Sequence, residues 1–93
     1  METPAVPIAL TGADQLVRTG IGTYYGFSIR ETAGAVATVR IYDGTTAAGT
    51  LLDTLGLAAN QSMREYYPDG IWVQSGIFVK IVAGAVEGSI RLG

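Results

Sequence analysis

The chain has 93 residues and a mass of 9.7 kDa, a size that points to one domain with a core of its own. It contains no Cys and no His, which excludes a disulfide framework, a Cys/His zinc site, a thiol nucleophile and a Ser-His-Asp triad. Six basic residues against eight acidic ones give a net charge of −2, and the basic ones (Arg18, Arg30, Arg40, Arg64, Lys80, Arg91) are scattered singly, so neither nucleic acid nor an anionic membrane surface is expected as a partner.

In chain order, residues 1–13 stand apart. Pro4 and Pro7 punctuate a run of small apolar residues. Proline pre-sets an extended backbone and cannot donate to a central ladder, so this segment is expected as an extended N-terminal arm or edge strand, with 14–93 as a single β domain. Met1-Glu2-Thr3-Pro4 places an acidic residue where a signal peptide carries positive charge, and no run approaches about 18 apolar residues. Synthesis in the cytoplasm with no membrane span is the expectation.

A weak strand signal at Gln15–Arg18 comes next. Gly20-Ile21-Gly22-Thr23-Tyr24-Tyr25-Gly26 superficially resembles a dinucleotide loop, but the glycine spacing is wrong and no βαβ unit surrounds it. Tyr25, Phe27 and Ile29 then alternate with Gly26, Ser28 and Arg30, the period of two of a strand with one buried face. Ala37, Val39 and Ile41 alternate in the same way with Thr38, Arg40 and Tyr42. Leu51–Leu57 reads as a strand with Leu51, Asp53 and Leu55 on one face, because Gly49 and Gly56 disfavour a helix. Ser62–Tyr67 and Ile71–Gln74 read as two short strands around Pro68-Asp69-Gly70. Ile77, Val79 and Ile81 alternate with Phe78, Lys80 and Val82, so both faces are largely apolar and the strand is central. Val86–Leu92 closes the chain, with Glu87, Ser89 and Arg91 on one side.

Turn residues fall between these runs: Thr32-Ala33-Gly34-Ala35, Asp43-Gly44, Pro68-Asp69-Gly70, Ser75-Gly76 and Ala83-Gly84. Seven to eight short strands with no helical period indicate an all-β fold, an antiparallel β-sandwich or jelly-roll-like domain carrying an extended N-terminal arm. Phe27, Ile29, Val39, Ile41, Val79, Ile81 and Ile90 are the expected core. An internal echo links Ile29-Arg30 through Ala33-Gly34-Ala35-Val36 to Arg40-Ile41, and Lys80-Ile81 through Ala83-Gly84-Ala85-Val86 to Arg91-Leu92. It is read as two hairpins built with the same turn, or as two pseudo-symmetric halves.

Asp43, Asp53, Glu65, Asp69 and Glu87 are read as turn or solvated strand residues, and no D-x-D-x-D-G loop suggests calcium. No catalytic residue, cofactor or metal is expected. Tyr24-Tyr25 and Tyr66-Tyr67 are adjacent pairs, so one member of each should be buried and the other exposed. Trp72, between Ile71 and Val73, should face away from the core. Exposed Tyr and Trp serve as interface anchors and as sugar-stacking platforms.

The stretch Tyr24-Tyr25-Gly26-Phe27-Ser28-Ile29-Arg30-Glu31-Thr32-Ala33-Gly34-Ala35, with Val39-Arg40-Ile41-Tyr42-Asp43-Gly44, Gly70-Ile71-Trp72-Val73 and Gly76-Ile77-Phe78-Val79, resembles small all-β virion proteins of tailed bacteriophages. The resemblance covers about residues 22–93, lies in texture, and extends to capsid decoration (cement) proteins. It implies a non-enzymatic structural protein on the capsid exterior, homo-oligomeric with a trimer as the leading form, and bound to the major capsid protein without covalent links. Pro4, Val6, Pro7, Ile8 and Leu10 of the arm, with Tyr24, Tyr67 and Trp72, are the expected interface. The alternatives are a minor head or tail component and a small carbohydrate-binding β-sandwich module.

Overall fold

The computed structural model describes residues 5–93. Period-two alternation yields eight strands: β1 (Val6–Ala9), β2 (Gln15–Thr19), β3 (Gly22–Glu31), β4 (Ala37–Asp43), β5 (Thr50–Leu57), β6 (Ser62–Val73), β7 (Gly76–Ala83) and β8 (Val86–Leu92). They form two four-stranded antiparallel sheets, sheet A in the order β1-β8-β3-β6 and sheet B in the order β2-β7-β4-β5. Only β4 and β5 are consecutive strands within one sheet; every other connection passes between sheets. This is jelly-roll wiring.

Both sheets turn one apolar face inward. Phe27, Ile29, Val39, Ile41, Val79 and Ile90 are buried as their alternation requires, and the half-buried Ile81 packs against them. Tyr24, Leu55, Leu57, Val73, Ile77 and Leu92 complete the core. β7 and β4, interior in sheet B, bury most of their inward side chains, whereas the edge strands β1 and β5 are largely exposed. The folded surface of 5135 Å² matches the roughly 5,100 Å² that surface scaling gives for this mass.

The structure departs from the sequence pattern in five places. The proline-bearing segment is extended, but it is docked: Val6–Ala9 pairs with β8, and Ile8 and Leu10 pack on the domain's own core. Pro4 lies outside the described residues. Second, β3 bulges between Tyr24 and Gly26, so Tyr24 joins Phe27 on the inner face and Tyr25 turns outward. Gly26 permits this with φ 125, where a side chain would collide with the Glu65 carbonyl. Third, Pro68-Asp69-Gly70 is not a turn between strands; β6 runs continuously from Ser62 to Val73 along β3, with the four residues 67–70 standing against the single Tyr25. Fourth, a bulge at Leu52 turns Leu51 outward and leaves Asp53, Leu55 and Leu57 facing in. Fifth, the echoed Ala-Gly-Ala segments are not hairpins, because β3→β4 and β7→β8 each cross between sheets.

Those two crossings lie against each other. Thr32 N–H donates to the Ala85 carbonyl at 3.0 Å, and a Cβ on Gly84 would sit 2.6 Å from the Val36 carbonyl oxygen. Glu31, in phase with Phe27 and Ile29, ends β3 inside this corner and is fully buried. Its carboxylate accepts backbone N–H bonds from Ala33 (2.6 Å), Gly34 (2.8 Å), Ala35 (3.2 Å) and Asn60 (2.8 Å). One carboxylate therefore ties the β3–β4 corner to the β5–β6 turn.

Candidate functional site

The inner polar constellation joins the sheets. Asp53 on β5 receives the Tyr24 hydroxyl from β3 at 2.7 Å and the Tyr67 hydroxyl from β6 at 2.9 and 3.0 Å. The two rings lie 5.9 Å apart at 48°. Burial and the Asp53 carboxylate push the Tyr24 phenol far above the ordinary tyrosine range, and the same causes push Tyr67 up to about 12. A proton donor so far from neutrality, on side chains turned inward, is poorly matched to acid–base chemistry near pH 7. The cluster is a cross-sheet tie.

Two outer faces remain. On sheet B, Leu16, Phe78, Tyr42 and Leu51 occupy matched register positions across all four strands and form one apolar row. Leu16 and Leu51, at its ends, are 46% and 47% exposed; between them Tyr42 is buried although it lies off the core cluster. The adjacent row sets Arg40 directly opposite Lys80. Lys80 is paired with Asp14 at 3.2 Å, and Asp14, held below the usual carboxylate range by the Ile81 N–H and by Lys80, accepts both.

Sheet A presents a polar and aromatic face. Ser28 stands between Ser89 and Arg64, and Arg30 between Glu87 and Ser62. Two shallow hollows of about 360 and 400 Å³ open here and share Ser28 and Ser62. Farther along, Tyr66 stacks on Tyr25 at 6.5 Å and 22°. Trp72 is 64% exposed.

The expected interface residues do not come together. Tyr24 is fully buried, a correction that follows from the β3 bulge, which reverses the phase of the tyrosine pair. Tyr67 is half-buried and bonded inward, so Tyr66 is the exposed member of its pair. Ile8 and Leu10 serve the domain's own core, whereas Val6, Pro7 and Trp72 remain exposed. Of the carboxylates, Asp53 departs from the solvated reading by facing inward, whereas Asp43 serves turn geometry, capping the β6–β7 turn through the Gln74 and Ser75 N–H groups. Glu31 was legible only as an acidic residue in the inward phase. Among the described residues no group of three or more His, Cys, Asp or Glu side chains is placed to hold a metal ion.

By fold the chain is an all-β jelly-roll sandwich with two unlike outer faces. Comparison with protein-family models, with curated proteins and with solved structures finds no match.

Proposed function

We propose that this protein is a non-catalytic structural subunit that docks on a larger protein shell, in the manner of a phage capsid decoration protein, and that the outer face of sheet B makes the contact. The observation that supports this reading is the apolar row Leu16–Phe78–Tyr42–Leu51, which crosses the whole sheet with both ends half exposed. Beside it, Arg40 is kept directly opposite Lys80, an arrangement that costs stability in an isolated sheet. Asp14 compensates Lys80 alone. The partner is accordingly a capsid-protein surface with an apolar ridge and an acidic residue to meet Arg40, and copies of the chain associate around it as a homo-oligomer. Virion location, and this docking face in place of Tyr24 and Tyr67, are parts of the same proposal.

The reading expects a major capsid gene beside the one that encodes this chain, and the test is co-sedimentation with shells assembled from its product, with light scattering for self-association. Leu16→Glu with Leu51→Glu should abolish sedimentation while the melting temperature of the free domain stays within a few degrees. Sedimentation of this variant equal to the parent, or no binding by the parent, defeats the reading.

A further inference from the structure

The outer face of sheet A takes no part in the proposed docking contact. Three of the chain's six basic residues, Arg30, Arg64 and Arg91, gather there despite a net charge of −2. Arg64 is opposite Ser28 and Arg30 opposite Ser62, so the two arginines are diagonal neighbours across β3 and β6, a spacing of about 7–8 Å or less in an antiparallel pair. Among the described residues neither arginine forms an ion pair. Glu87 stands opposite Arg30, yet the ion pair among the described residues is Lys80–Asp14, on the other sheet.

Between the two arginines the side chains are small. Ser28 and Ser62 line both hollows; Arg30 borders one, together with Glu87 and Gly88, and Arg64 borders the other. Diagonal guanidiniums can reach one oxyanion seated over the two serines, each offering a planar fork of N–H donors. The serine hydroxyls donate and accept, as neighbouring sugar hydroxyls require. Next along β6 on the same face comes Tyr66, 57% exposed and stacked on Tyr25. An amphipathic ring so placed suits the C–H face of a sugar.

We propose that this face binds an acidic saccharide: a sulfate or carboxylate between Arg30 and Arg64, ring hydroxyls on Ser28 and Ser62, and the adjoining sugar on Tyr66. Single-stranded nucleic acid also combines oxyanions with rings, but it carries a charge at every residue and is held by a continuous track of cations. Here three cations share the face with Glu87 on an acidic protein, which favours the saccharide.

The proposal is independent of the docking reading, since it uses the opposite face. Calorimetric titration of the full chain at low salt with a heparin tetrasaccharide, tetragalacturonate, cellotetraose and a thymidine oligonucleotide tests it. At least one of the two acidic saccharides should bind, at least tenfold more tightly than cellotetraose, and the better one tells sulfate from carboxylate. Arg64→Ala should weaken that binding by about tenfold, the loss of a charge-assisted bond, with an unchanged melting temperature. Tyr66→Ala should weaken it as well. Arg40→Ala, and the Leu16/Leu51 variant, should bind as the parent does. Failure of both acidic saccharides to bind, equal binding of cellotetraose, tighter binding of the oligonucleotide, or indifference to Arg64→Ala would each overturn the proposal.

Discussion

Replacing Tyr24 by Phe removes one oxygen and keeps the ring, which isolates the cross-sheet tie from core packing. The hydroxyl is fully buried and donates to a carboxylate at 2.7 Å. A hydrogen bond to a charged group contributes about 1.5–3 kcal/mol. Taking about 2 kcal/mol, and about 4–8 °C per kcal/mol for a domain of this size, the melting temperature should fall by about 8–16 °C. Tyr67→Phe should cost less, because its hydroxyl is half-buried and water can take its place on Asp53. Asp53→Ala should be the most damaging of the three, since it leaves the Tyr24 hydroxyl buried without an acceptor. Adding Tyr24→Phe to Asp53→Ala should then cost almost nothing, giving a coupling energy of about 1.5–3 kcal/mol. Thermal and urea melts followed by circular dichroism measure all four variants. A Tyr24→Phe protein within about 0.5 kcal/mol of the parent, or strict additivity in the cycle, would refute the tie.

Alkali should destabilise the fold through the same pair. Tyr24 and Tyr67 have folded values above the unfolded value of about 10, so their contribution is complete below about pH 10 and is lost above it, through about 12 for Tyr67 and higher for Tyr24; stability against pH should turn downward above about 10, less so in the Tyr24→Phe/Tyr67→Phe protein. Acid acts through Glu31, whose four backbone N–H bonds hold it below the usual carboxylate range; its contribution is present above about pH 4.5 and lost below it, and Glu31→Gln, which turns amide donors toward backbone donors, should lower the melting temperature at pH 7 and flatten the acid limb. Deletion of residues 1–10 removes the β1 ladder and the cover of Ile8 and Leu10, two half-buried side chains whose loss should lower the melting temperature by about 4–16 °C after ordering is offset; an unchanged melt would show that β1 contributes nothing to its own domain. Gly84→Val should destabilise severely, because φ 84 and the 2.6 Å approach to the Val36 carbonyl leave no place for a side chain.

The sequence by itself determined the all-β class, most of the strand positions and part of the core, namely Phe27, Ile29, Val39, Ile41, Val79 and Ile90. These follow from local rules: a period of two selects the inward residues of β4, β7 and β8, and glycine or Asp-Gly marks where those strands stop. Trp72 outside the core and one inward-facing tyrosine per pair were legible for the same reason. Tertiary structure decided what depends on one strand meeting another. A bulge is an extra residue relative to a partner, so no single strand records that Tyr24 turns in, that Leu51 turns out, or that Pro68-Asp69-Gly70 interrupts β6 without ending it. The same holds for Ala33-Gly34-Ala35, whose composition suits a hairpin equally well as the corner it makes between sheets. Asp53, Tyr24 and Tyr67 lie up to 43 residues apart in sequence, from Tyr24 to Tyr67, and meet only because the sheets face each other. Arg30, Arg64, Ser28 and Ser62 share a surface through register alone, and the ladder between β3 and β6, set by the closing of the jelly roll, is what places them there.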